Sequence, residues 1–261
     1  VTFAGDRFED NSAFWSGALR IWDADVTISE VTFLANSAGN KAGAVDVIGP
    51  STVTLRNCLL QENWTENTDS GGGGVHVDHA DAVVSLYGNT VLSNTTWLDA
   101  SPGGGLLVSQ GMVTMRGNTF RGNSATSGGA MRVEQGTVTS VGDRFVGNSA
   151  FWNGAVQVTG GDVAISDATF RENSGGNTGG AIGVVGASTL VLEDSIVQDN
   201  QSEHDYEGGG GVFVDHPDAD VTLAHNLLAG NSTSYMGGSG GGLKVQGGTV
   251  VAYENTFTGN S

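Results

Sequence analysis

The chain has 261 residues, of which 43 are Gly and 3 are Pro, with 38 % hydrophobic residues, one cysteine and a formal net charge of −18. This composition excludes collagen-like, Pro-rich, disordered and disulfide-stapled chains. The 10 Lys and Arg against 28 Asp and Glu leave no basic cluster for nucleic acid or an anionic membrane, and no apolar run reaches the roughly 18 residues of a membrane helix.

In chain order, the first element is the strand-like Val1-Thr2-Phe3. It is followed by an apolar-x-x-Asn ending at Phe8 and Asn11. The same ending recurs at Phe33/Asn36, Leu60/Asn63, Val91/Asn94, Phe120/Asn123, Phe145/Asn148, Phe170/Asn173, Val197/Asn200, Leu228/Asn231 and Phe257/Asn260. Spacings between successive endings are 25, 27, 31, 29 and 25 residues, then 25, 27, 31 and 29. Each ending is preceded by an alternating Val-Thr-apolar strand, such as Val26-Thr27-Ile28, Val53-Thr54-Leu55 or Val221-Thr222-Leu223. Each is followed by a variable stretch, a Gly pair and a second alternating strand, as in Gly129-Ala130-Met131-Arg132-Val133, Gly180-Ala181-Ile182 and Gly241-Gly242-Leu243.

A longer period contains the short one. Gly5-Asp6-Arg7-Phe8, Ser12-Ala13-Phe14-Trp15 and Val77-Asp78-His79 return, each 137 residues later, at Gly142, Ser149 and Val214. Residues 1–137 therefore read as a five-coil unit and 138–261 as a second, incomplete copy within one continuous domain, 1–261. Such coils predict an all-β fold, a right-handed single-stranded parallel β-helix of about ten coils of 25–31 residues. The recurring Asn would form an inward amide ladder through Asn11, Asn36, Asn63, Asn94, Asn123, Asn148, Asn173, Asn200, Asn231 and Asn260. The Gly pairs would serve a positive φ or a close approach of coils. Neither end reads as a polar cap, so the expected partners include further repeats or copies stacked end to end.

Phe120-Arg121-Gly122-Asn123 with Gly128-Gly129-Ala130-Met131, and Phe170-Arg171-Glu172-Asn173 with Gly179-Gly180-Ala181-Ile182, resemble the repeat of chlamydial polymorphic outer membrane proteins and related autotransporter passengers. The resemblance implies extracellular display on a bacterial surface and often adhesion. Host-cell, matrix or polysaccharide ligands follow as expected partners. On this reading the chain is a structural or adhesive segment of a long surface or fibre protein and not an enzyme. The alternative is a polysaccharide-acting, pectate-lyase-like or carbohydrate-binding β-helix.

Candidate sites are few. Asp78 and Asp81, with His76 and His79, are echoed by Asp215 and Asp218 with His216. They could gather a calcium-type cation or simply mark a turn, and the change of His76 to Phe213 argues against zinc. No other cofactor is expected. A lyase would need a basic side chain near clustered acids, and the sequence has only Lys41 and Lys244 as lysines. Asn67-Thr68-Asp69 matches a polygalacturonase tripeptide without its companion elements. Trp15, Trp64, Trp97 and Trp152 are expected in loops at the coil edge, where they could stack on sugar rings or anchor a protein. The longest insertions, Trp64–Gly74 and Ser202–Gly211, share that edge.

Overall fold

The computed structural model describes residues 1–66, 71–97, 102–203, 208–234 and 240–261. Four parallel sheets run along a right-handed β-solenoid. Sheets A and B have ten strands each, sheets C and D nine each. One coil shows the pattern: Asp25–Ser29 in sheet A, Thr32–Leu34 in sheet B, Ser37–Ala38 in sheet C and Val45–Val47 in sheet D.

Stacking is in register, like residue over like. Val26 pairs with Val53 and Ile28 with Leu55 in sheet A, Phe33 with Leu60 in sheet B, and Val45 with Val75 in sheet D. These inward side chains are essentially fully buried and make one continuous core. Each contributes roughly 1.5–3 kcal/mol on leaving water. The expected aromatic file along sheet B forms in two blocks. Phe8 stacks on Phe33 at 5.0 Å, and Phe120, Phe145 and Phe170 stack at 5.2 and 4.6 Å. Leu60 and Val91 occupy the rungs between the blocks.

Two sharp corners, A to B and B to C, each turn on a single residue of left-handed φ. In one coil these are Glu30 (56°) and Ala35 (53°), in another Gly117 (64°) and Gly122 (61°). After the B-to-C corner comes the ladder Asn, and the ladder is complete. From Asn11 to Asn260 every Nδ2 donates to the Oδ1 of the next rung at 2.8–3.0 Å. That Oδ1 also accepts the preceding Asn backbone N–H, and from Asn36 onward each Nδ2 also reaches the carbonyl two rungs back at the position of Phe8. Amides that would otherwise be buried unpaired are satisfied in this way.

A second ladder, not foreseen from the sequence, follows the A-to-B corner. Asn89 donates to Asn118 and Asn118 to Asp143, at 3.0 and 2.9 Å, and Asn226 donates to Asn255 at 2.9 Å. It lies five residues before the first ladder, and Val31 and Ala168 interrupt it. Asp143 is fully buried, accepting from Asn118 and from Ser140 Oγ at 2.6 Å. Burial pushes its carboxyl above the usual range, partly opposed by these hydrogen bonds.

The Gly column before sheet D answers the close-approach alternative. Gly17, Gly43, Gly73, Gly104, Gly129, Gly154, Gly180 and Gly210 each face the carbonyl of the corresponding Gly on the next rung. A Cβ there would meet that oxygen at 2.2–2.6 Å. None of the eight has a left-handed φ. Space, not φ, fixes the residue.

Candidate functional site

Sheet D departs from the simple inward–outward alternation of a solenoid wall. Its strands read Val45-Asp46-Val47, Val75-His76-Val77 and Leu106-Leu107-Val108, and all three residues are buried in each. The middle, outward residue is covered by chain entering the strands. Gly71, for example, lies against Leu107 and Pro102. The outer face of sheet D is therefore a second, polar interior. In register along it stand Arg20, Asp46, His76, Leu107, Arg132, Gln157, Gly183, Phe213 and Lys244.

In the first unit this face is closed by charge. His76 Nδ1 lies 2.8 Å from Asp46 Oδ1, and its Nε2 lies 3.3 Å from Ser109 Oγ. Asp46 Oδ2 accepts from Ser16 Oγ at 2.7 Å and lies 3.5 Å from Arg20 Nε. Asp46 and His76 are 0 % and 1 % exposed. A buried pair is tolerable when its remaining lone pairs are satisfied in this manner.

The second unit replaces every member of that cluster. At the positions 137 residues on, Ser16 becomes Asn153, Arg20 becomes Gln157, Asp46 becomes Gly183 and His76 becomes Phe213. Gly183 has no side chain, and the Asn153 amide fills its place: a Cβ on Gly183 would sit 1.8 Å from Asn153 Oδ1. Asn153 has a φ of 54°, which Asn tolerates better than most residues. Thr178 Oγ1 donates to its Oδ1 at 2.8 Å.

The result is a cleft of about 460 Å³ lined by Arg132, Trp152, Asn153, Gln157, Phe213 and Asp215, among others. Among the described residues, five buried side-chain polar atoms lack a hydrogen-bond partner. Three of them belong to cleft-lining residues: Arg132 Nε, Asn153 Nδ2 and Gln157 Oε1. The other two, on Thr65 and Ser202, occupy one equivalent position of the two units. Arg132 donates from Nη1 to Ser127 Oγ at 2.7 Å. Its Nε is 3.2 Å from Glu134 Oε1, close enough for attraction but not aligned for a hydrogen bond. Burial pulls the Arg132 guanidinium below its usual range, against the opposing pull of Glu134.

The sequence-predicted sites fare unevenly. Asp78 turns to Lys41 Nζ, 3.4 Å away, while Asp81 and Asp218 place their backbone N–H groups 3.2 Å from Nδ1 of His79 and His216. Asp and His thus fasten the same turn in both units. Among the described residues no three His, Cys, Asp or Glu side chains gather as a metal site, so Asp78, Asp81, Asp215 and Asp218 are not assembled into one. Asp215 instead lines the cleft.

Of the four tryptophans, Trp64 and Trp152 are not in loops. They belong to the short strands Trp64–Thr65 and Ser149–Trp152 of sheet C, because they continue the ladder corner as strand. Trp15 and Trp97 are exposed at 47 % and 71 %. Trp64 and Trp97 approach at 6.1 Å, and Phe14–Trp15 and Phe151–Trp152 repeat one edge-on pair at 5.1 and 5.0 Å. The tips of both long insertions, 67–70 and 204–207, and with them Asn67-Thr68-Asp69, lie outside the described residues.

Sequence reasoning missed the cleft. The signal was present in the pairwise difference between the duplicated units. Among the described residues no helix is long and apolar enough to cross a membrane. Neither the curated proteins nor the solved structures compared with this chain give a match. A family model described as "Right handed beta helix region" matches residues 2–174, more than half of the chain. With its in-register parallel sheets and unbroken Asn ladder, the chain belongs to the right-handed β-helix family.

Proposed function

We propose that this chain is the structural and adhesive part of an extracellular bacterial surface or fibre protein, holding a ligand against the outer face of sheet D. The observation that carries this reading is the convergence of three unsatisfied buried polar atoms on one cleft. Each such atom costs about 1–3 kcal/mol, a cost a folded protein retains where a ligand recovers it. The acidic surface, net −18, favours solubility and repels anionic membranes and nucleic acid. Stacked coils supply rigidity, and the pairing of each coil with its neighbours allows such a segment to extend from a surface.

Binding is favoured over catalysis by the residues themselves. In the first unit the one His–carboxylate pair is spent on Ser16, Arg20 and Ser109. In the second unit the His has become Phe213. The test is adhesion of the purified chain to immobilised cells, matrix and polysaccharides. Saturable binding that Gln157→Ala abolishes is expected. Release of unsaturated products from polyuronates, read as rising ultraviolet absorbance, would replace this reading with the lyase alternative.

A further inference from the structure

We propose that the sheet D cleft of the second unit takes a neutral pyranose oligosaccharide, with its hydroxyls paired to Gln157 and Asn153 and one sugar face against Trp152. This inference rests on the reading of sheet D as the binding face and specifies its ligand.

The unsatisfied atoms set the chemistry. Gln157 Oε1 requires a donor, whereas Asn153 Nδ2 and Arg132 Nε require acceptors. Thr178 Oγ1 donates to Asn153 Oδ1, which leaves Nδ2 as the end of that amide without a partner. Asn153 and Gln157 are 0 % and 6 % exposed, so these are built positions and not surface side chains. A hydroxyl both donates and accepts, and a sugar ring carries several at fixed spacing. It also offers an apolar face to an aromatic. Trp152 supplies that aromatic, half-buried and held edge-on by Phe151 at 5.0 Å.

Charge excludes the alternatives. An anionic sugar would meet Asp215 in the cleft and Glu134 beside Arg132, on a chain of net charge −18. A metal ion would find Asp215 as the one carboxylate among the lining residues. A purely apolar ligand would leave all three polar atoms unpaired.

The first unit shows how the same place looks when it is filled by the protein itself, and this provides the experiment. Asn153→Ser, Gln157→Arg, Gly183→Asp and Phe213→His together install the residues of Ser16, Arg20, Asp46 and His76 in the second unit. Gln157→Ala alone serves as the second variant. Titration calorimetry of the full chain with cellohexaose, mannohexaose and maltohexaose is expected to show binding to at least one. Either variant should weaken it about tenfold or more, the loss of one or two hydrogen bonds. Hexagalacturonate should not bind.

Absence of neutral-sugar binding, binding of hexagalacturonate in preference, or affinity unchanged in Gln157→Ala would each overturn the inference. Adhesion lost in Gln157→Ala without any sugar affinity, as for a protein ligand, would overturn it while leaving the adhesive reading intact. Adhesion untouched by both variants would overturn the two together.

Discussion

The two duplicated units share one backbone plan but use the outer face of sheet D differently. In the first, Asp46 and His76 on adjacent rungs satisfy each other, and Ser16, Arg20 and Ser109 take up their remaining capacity. In the second, the loss of one carboxylate at Gly183 leaves nothing for the neighbouring positions to pair with, and Asn153, Gln157 and Arg132 face a cleft. The difference teaches that a solenoid can open a site by removing side chains without moving its coils. A duplicated unit can drift this way because the other copy and the continuous core hold the register.

The largest effect should come from breaking the closed side. His76→Ala leaves the Asp46 carboxylate buried beside a void, and a loss of about 3–5 kcal/mol is expected, read as a lowered denaturation midpoint. Next comes a pair that should not distinguish the units. Asn94→Ala and Asn231→Ala occupy equivalent rungs and lose the same bonds, to Leu60 and Asn123 in one case and to Val197 and Asn260 in the other. Each should cost about 2–3 kcal/mol, and the two costs should agree. Unequal values would show that the units diverged in their core as well as on their face.

A smaller effect concerns the second ladder. Asp143 has its folded-state pKa raised by burial, so its contribution is fully present below the unfolded pKa and is lost as pH rises through the folded one. Asp143→Asn continues the amide row without a charge. It should stabilise by about 1 kcal/mol at neutral pH, with the gain shrinking toward acid, as melting curves across pH would show. The smallest effect lies on the open side. Gln157→Ala removes an already unpaired oxygen, so stability should stay within about 0.5 kcal/mol while ligand affinity falls. A large destabilisation would mean that Gln157 supports the fold and not a ligand.

The architecture was legible because its signals repeat. One Asn at one offset in ten coils, together with a Gly at each coil's close approach, marks a stack before any contact is known. The second ladder was hidden because four of its ten rungs are Asn and the others include Val31, Cys58, Ala168 and Ser195. The cleft was hidden for a different reason. Arg20, Asp46, Gln157 and Gly183 each look like an ordinary outward strand residue until burial of the whole sheet D face is known. Trp152 was misplaced because the ladder corner extends sheet C further than its small residues suggested.

The uniformity of the first amide row also has a cost in addressing. Every rung offers its neighbour the same donor and acceptor, so the row attracts coils to one another without telling one from the next. Identity must come from the side chains that do vary, such as the Phe blocks interrupted by Leu60 and Val91. Those interruptions recur with the 137-residue period. A chain collapsing out of step by one whole unit would satisfy the amides and most of the core, and such slippage is the misassembly to which a rod of this kind is exposed.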